Sequence, residues 1–338
     1  MSARLAIAAE AVLGSVALAP VAPRKLGKVT ASEGLMLEVS GLPLAVGAGV
    51  SIDLACGSAI AGEVVGFRDN RCLVLPFAGD ARLAIGAPVR PKADTNDVAV
   101  GEQLLGRIID ANGDPLDSGP AISAAEQWPL GGRPANPLTR GRVTRPFDVG
   151  VRAINALLTI GEGQRVAIIA GSGVGKSVLM GQMMAGAECD VIVVGLVGER
   201  SREVSDFVET RLPPAVRSKA VVVAVPGDHA PVLRLRAARR ATAIAEAFRA
   251  QGRRVLLLID SLTRVAHAQR EIGPTVSKNA SANSRAVSSA TAKAMTRRTR
   301  PSRNRRNKGH YCTAALNLSK GVARSSATPF DKLGATVF

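Results

Sequence analysis

Between about Lys25 and Pro91 the apolar positions fall in short runs separated by glycine and turn residues: Leu35–Val39, Val50–Leu54, Gly62–Phe67 and Cys72–Pro76. Closely spaced short strands of this kind predict a small all-β barrel or sandwich, and residues 24–95 are assigned as the barrel. The pattern then loosens. Residues 96–145 are rich in Gly, Pro, Asn and Asp, and Gly106–Asp110 followed by Ala-Asn-Gly-Asp-Pro reads as a strand entering a tight turn, with Asn112-Gly113 supplying positive φ. This stretch is expected to be a connector running over the surface. From Pro146 to Gly273 the rhythm changes again. Val166–Ala170, Val191–Gly195, Val221–Val225 and Val255–Ile259 are nearly continuous apolar runs, as parallel strands covered on both faces require. Helical stretches lie between them, including Lys176–Gly186 and about Ala230–Gln251. The alternation predicts a doubly wound α/β domain over residues 146–273, with ligands at the carboxyl ends of its strands. After Gly273 the order is lost. Residues 274–338 hold 16 Ser and Thr with no sustained apolar period, and are expected to be a mostly disordered, low-complexity tail.

Charge sharpens that boundary. The 338 residues carry a formal net charge of +17, of which residues 274–338 hold +12, from 13 basic residues and the acid Asp331. The preceding 273 residues are near neutral at +5. Such a tail is expected to bind nucleic acid only non-specifically, through phosphate charge rather than base edges. Aromatic residues make up 3%, so the core must be built from Ala, Val, Leu and Ile. Length and a hydrophobic content of 46% suffice for a buried core and exclude a collagen, a disulfide-stapled mini-protein or a wholly disordered chain. Cys56, Cys72, Cys189 and Cys312 show no C-x-x-C spacing and no nearby histidine, which argues against a metal site or a disulfide framework and for reduced thiols. No run reaches ~18 uninterrupted apolar residues, so no membrane-spanning helix is expected. Arg4 and the apolar run to Ala19 imitate a signal peptide, but Glu10 interrupts the run. Residues 1–23 read instead as an Ala-rich helix that docks a partner.

Ala170-Gly-Ser-Gly-Val-Gly-Lys-Ser177 follows a strand and opens a helix. This is the phosphate-binding loop pattern, with Ala in place of its first Gly. The backbone N–H groups of Gly171, Ser172, Gly173, Val174 and Gly175 can curl around a phosphate, and the helix N-terminus adds positive potential. Lys176 would reach the β- and γ-phosphates, and the Ser177 hydroxyl would ligate Mg²⁺. Val255–Asp260 is an apolar strand ending in an acid, and a carboxylate there can hold Mg²⁺ through water. Glu199 lies 23 positions beyond Lys176, room for one helix and a returning strand. It would emerge beside the phosphates, where a carboxylate can orient or polarise water, and Arg200 can compensate γ-phosphate charge. On the residues alone a second reading stays open, in which Glu199 caps a helix N-terminus and the arginines are solvated.

Taken together, Asp148–Arg165, the phosphate loop, Gly198–Val204 and Asp260–Gly273, with Leu104–Asp117 upstream, closely resemble the flagellar export ATPase and its type III secretion relatives, cousins of the rotary ATP synthase catalytic subunit. The resemblance covers about Gly27 to Gly273. It implies an ATP hydrolase with a RecA-like P-loop core, using ATP and Mg²⁺ and working as a hexamer. It further implies a cytoplasmic protein, peripheral at the inner-membrane base of the export apparatus. The implied partners are a stator-like regulator at the N-terminus, export substrates with their chaperones, and a membrane export gate. Residue by residue, the resemblance implies Lys176 and Ser177 as the phosphate and Mg²⁺ residues, Glu199 as the catalytic carboxylate, Arg200 as the phosphate-side arginine and Asp260 as the Mg²⁺-linked aspartate. It does not separate a flagellar from a virulence system.

The likeness stops at Pro274. The family's Gly-Glu-Pro-Pro-type loop, later core strands, arginine finger, adenine-contacting region and helical C-terminal domain are not recognisable in residues 274–338. That basic sequence resembles out-of-frame translation or a genuinely different tail, so the sheet is expected to be incomplete with an unpaired edge. Two other readings use the same residues. One is a RecA/Rho-like nucleic-acid motor with the tail as its electrostatic handle, against which the tail offers few aromatics for stacking bases. The other is a non-catalytic nucleotide-binding remnant.

Overall fold

The computed structural model describes residues 26–78, 83–92, 96–123, 126–134, 136, 138, 141–170, 173–276, 315–317 and 334–337. Strands β1 (Gly27–Glu33), β2 (Met36–Ser40), β3 (Gly49–Asp53), β4 (Ala59–Arg68), β5 (Arg71–Pro76) and β6 (Pro88–Lys92) close into an antiparallel barrel in the order β1-β2-β5-β4-β3-β6. Alternate residues point inward, and Val29, Leu37, Val39, Val50, Ile52, Val64, Val74 and Val89 fill the interior. The four apolar runs of the sequence became β2 to β5. Strands β1 and β6 carry too few apolar residues to stand out, and closure of the barrel recruits them.

Residues 96–145 are not the surface connector that their composition suggests. Strand β7 (Asp97–Val100), the two-residue β8 (Ile108–Ile109) and β9 (Glu126–Pro129) lie along it, with β7 antiparallel to β9. Val98, Val100, Leu104, Ile109, Trp128 and Leu130 are buried in the main core. Turn residues dominate the composition there, but the few large apolar side chains fall where they can reach that core. The predicted turn is present, although of its central pair only Gly113, and not Asn112, takes positive φ. Gly113 has φ +95°, and Asp110 Oδ1 accepts from the backbone N–H groups of Asn112, Gly113 and Asp114 at 2.7, 2.8 and 2.9 Å.

A small hairpin of β10 (Pro146–Phe147) and β11 (Ile160–Gly161), spanned by α1 (Arg152–Leu157), leads into the α/β domain. There follow β12 (Ala167–Ala170), α2 (Lys176–Gly186), β13 (Val191–Val197), α3 (Ser201–Arg211), α4 (Pro214–Arg217), β14 (Ala220–Val225), α5 (Pro231–Ala250), β15 (Val255–Asp260) and α6 (Leu262–Val276). Strands β13 and β14 are buried along their whole length, which is why they read as unbroken apolar runs. Strands β15, β13, β14 and β8 run parallel in that order. Helix α5 packs its Ala237, Ala241, Ile244 and Phe248 into the same core. Among the described residues no helix is long and apolar enough to cross a membrane.

The sequence assigns no element to the tail, yet two segments of it join the sheet. Strand β16 (Ala315–Asn317) lies parallel to β12, and β17 (Gly334–Val337) runs antiparallel between β12 and β15. Strand β12 is thus paired on both sides where an unpaired edge is expected, because an open slot between two strands accepts any short extended segment. The rest of the tail reading, and the helix assigned to residues 1–23, lie outside the described residues.

At the rear of α2 the chain makes a backbone-to-backbone contact that fixes where the helix ends. Gly150, at φ +72°, meets Gly186 so closely that a Cβ on Gly186 would sit 2.6 Å from the Gly150 Cα. Gly186→Ala is expected to destabilise the fold by about 1–3 kcal/mol through overpacking. Urea unfolding checks this, and an unchanged midpoint would contradict the contact.

Candidate nucleotide site

The site lies at the carboxyl ends of β12, β13 and β15, where a doubly wound sheet collects ligands. Strand β12 ends at Ala170, and the loop that follows delivers the chain to the start of α2. Gly171 and Ser172 lie outside the described residues. Gly173 and Gly175 have φ of +78° and +99°, and a Cβ on either would meet nothing within 4 Å. Glycine is therefore required there by backbone conformation rather than by space. Val174 is exposed between them. Helix α2 is anchored from below by Met180, Met183 and Met184, all fully buried. Its first residue, Lys176, points its ammonium at the Asp260 carboxylate, and the two form an ion pair.

Asp260 is the last residue of β15 and is buried. Strand β13 runs parallel beside it with Leu196 opposite Asp260, so Glu199 emerges just beyond, at the same end of the sheet. The Glu199 loop is held at two points: Gly198 N–H donates to Val225 O at 2.7 Å, and Gly227 N–H donates to Glu199 O at 3.0 Å. Gly198, at φ +74°, leaves room for Arg264, whose Cδ would lie 2.7 Å from a Cβ placed there. The Arg264 Nη2 donates to Glu199 Oε2 at 3.4 Å. Burial first, then a hydrogen bond with Glu203 and the Asp260 carboxylate, push the Glu199 carboxyl up to about 7, against Arg264 and Lys176. Glu203 moves the other way, lowered chiefly by that hydrogen bond.

Arg200 does not join this group. Its side chain is 81% exposed and meets Glu203 at 3.7 Å, one turn along α3. The cation brought to Glu199 is instead Arg264, which sequence reading passed over. The available signal was its position four residues after Asp260, on the first turn of a helix that starts where β15 ends. Ser177 is exposed on the first turn of α2. Its hydroxyl and the Asp260 carboxylate are oxygen donors of the kind Mg²⁺ prefers. Among the described residues no group of three or more His, Cys, Asp and Glu forms a metal cage.

The raised Glu199 carboxyl has a consequence for stability. The fold favours its protonated form, so its stabilising contribution is complete below the ordinary 4.5 and is lost as pH rises through about 7. Glu199→Gln, neutral throughout, is expected to be more stable than the unmutated chain at pH 8 by on the order of 1 kcal/mol, discounted for partial exposure, and equal to it at pH 4. Denaturant unfolding at the two pH values checks the sign.

Comparison with known proteins agrees with this geometry. Residues 150–308 match the family model described as ATP synthase alpha/beta family, nucleotide-binding domain. The chain is 47% identical over 267 residues to the flagellum-specific ATP synthase of Salmonella typhimurium, covering 76% of this chain and 58% of that protein. It is 46% identical over 221 residues to the type 3 secretion system ATPase of Sinorhizobium fredii, covering 65% of this chain and 49% of that protein. The solved structure of the assembled ATPase EscN from the enteropathogenic E. coli type III secretion system superposes with a TM-score of 0.71 at 38% identity, over 80% of this chain and 66% of that one. A second structure, of EscN with its central stalk EscO, gives 0.68 at 39% identity over 74% and 61%. The chain thus spans a little over half the length of the Salmonella relative.

Proposed function

The chain belongs to the family of flagellum-specific and type III secretion ATPases, and from that premise we propose that it binds Mg·ATP between β12, β13 and β15 and hydrolyses it to drive protein export. The observation that carries this reading is the convergence of Lys176, Asp260 and Glu199 at one end of one sheet, with Lys176 paired to Asp260 and Arg264 donating to Glu199. With nucleotide in the loop, Lys176 exchanges its contact with Asp260 for the β- and γ-phosphates, which frees the Asp260 carboxylate. Mg²⁺, when bound, would supply positive charge that offsets the negative charge developing on the phosphates. Glu199 orients a water toward the γ-phosphorus and accepts its proton as the new P–O bond forms and the bond to the β–γ bridging oxygen breaks. A carboxyl near 7 suits a base that must take up and release a proton close to neutral pH. Arg264 holds the carboxylate in position, and Ser177 and Asp260 are the residues that would hold the metal.

For the whole protein, the EscN relative is described as an assembled ATPase with a central stalk, which supports a ring of several copies and a stalk-like or stator-like partner here. The flagellar apparatus is the preferred setting because the 47% identity to the Salmonella flagellum-specific protein extends over 267 residues, against 46% over 221 residues for the type 3 secretion ATPase of Sinorhizobium fredii. Export substrates, their chaperones and a gate at the inner membrane are the corresponding partners, with the ATPase on the cytoplasmic side. Measuring phosphate release with flagellar export components, and separately with RNA, tests this. Stimulation by the export components is expected, and stimulation by RNA alone would favour a nucleic-acid motor.

A further inference from the structure

Two arginines one turn apart on α5 are almost completely buried, Arg236 at 3% and Arg240 at 4% exposure. Arg236 Nη1 donates to Oε2 of Glu63 at 3.2 Å. Glu63 belongs to β4 of the barrel and is itself 7% exposed. Arg240 Nε donates to the carbonyl of Ala111 at 2.8 Å, in the turn that leaves β8. That turn sits directly on the guanidinium, since a Cβ on Gly113 would lie 2.6 Å from Arg240 Nη1. Around these polar contacts the interface is apolar: Met36, Leu73 and Leu75 of the barrel share one buried cluster with Val232, Leu233 and Ala237 of α5.

We propose that Arg236 and Arg240 form a buried two-point latch by which α5 holds the barrel and the turn after β8 on the ATPase core, so that barrel and core open as a single body. An apolar interface alone tolerates sliding, because the hydrophobic effect is non-directional. A buried ion pair does not, since any other docking leaves Glu63 or Arg236 in a low-dielectric interior without its partner. Charged groups near the pair include Arg239, which also acts on Glu63, and Asp110, which acts on both arginines. Spacing at i and i+4 puts both arginines on one face of α5, so one helix grips two separate parts of the chain. The proposal does not depend on ATP hydrolysis and would stand if that reading failed.

Native-state hydrogen exchange of the full chain tests it. In the unmutated chain the slowest amides of the barrel, such as Val64 and Val74, are expected to exchange through the same opening as those of β13 and β14. In Glu63→Gln and in Arg236→Met the barrel amides should become about 100-fold faster than those of β13, because one charge stays buried alone. The double variant should be no worse than either single one, the signature of a coupled pair. Arg240→Met should speed exchange at Gly113 and Asp114. If Arg236→Met does not accumulate as folded protein, Glu63→Gln, which keeps the shape of the side chain, carries the reading. The proposal is overturned if barrel and core already open independently in the unmutated chain. It is equally overturned if they stay merged in the single variants, or if the double variant is as bad as the product of the two.

Discussion

Glu199→Gln is expected to leave Mg·ATP bound while slowing its hydrolysis by roughly 10²–10⁴-fold, the usual worth of a positioned general base. The amide keeps the size of the side chain and can still accept a hydrogen bond from Arg264. What it loses is the ability to take the proton from water. Glu199 sits beyond Asp260 rather than in the phosphate loop, so ground-state contacts to the triphosphate should survive. Single-turnover phosphate release, measured in a ring-competent assembly, checks the rate, and turnover equal to that of the unmutated protein would return Glu199 to a capping role.

Lys176→Ala should act on binding instead. Its ammonium is the cation that faces Asp260, and the same ammonium would face the polyphosphate. Removing it leaves a buried carboxylate beside incoming negative charge. Both effects weaken nucleotide binding, by about 10²–10³-fold for a charge pair of this burial. Ligand linkage provides the readout: Mg·ATP should raise the melting temperature of the unmutated chain and leave that of Lys176→Ala where it was. An equal shift in both would remove Lys176 from the site.

Much of this architecture was legible in the sequence because its strongest signals are local. The strands β13 to β15 are apolar up to the terminal Asp260 of β15, and α2 spans Lys176–Gly186 as its pattern predicts. The phosphate loop is legible for the same reason, since a left-handed backbone at Gly173 and Gly175 leaves its mark as glycine. What stayed hidden depends on partners distant in sequence. Residues 96–145 look like a surface linker until α5 supplies the core that buries Trp128 and Ile109. Strands β16 and β17 exist through pairing with β12, which nothing in their own composition announces. Arg200 and Arg264 are equally basic, and only the fold decides that the second reaches Glu199 while the first stays exposed.

The central claim is a single Mg·ATP site whose binding and chemistry reside in different residues. Calorimetric titration of the unmutated chain, Glu199→Gln and Lys176→Ala with Mg·ATP tests it most directly. One equivalent bound per chain is expected for the first two, with similar affinity, and no saturable binding for the third. Equal affinity in all three, or loss of binding in Glu199→Gln with retention in Lys176→Ala, would contradict it.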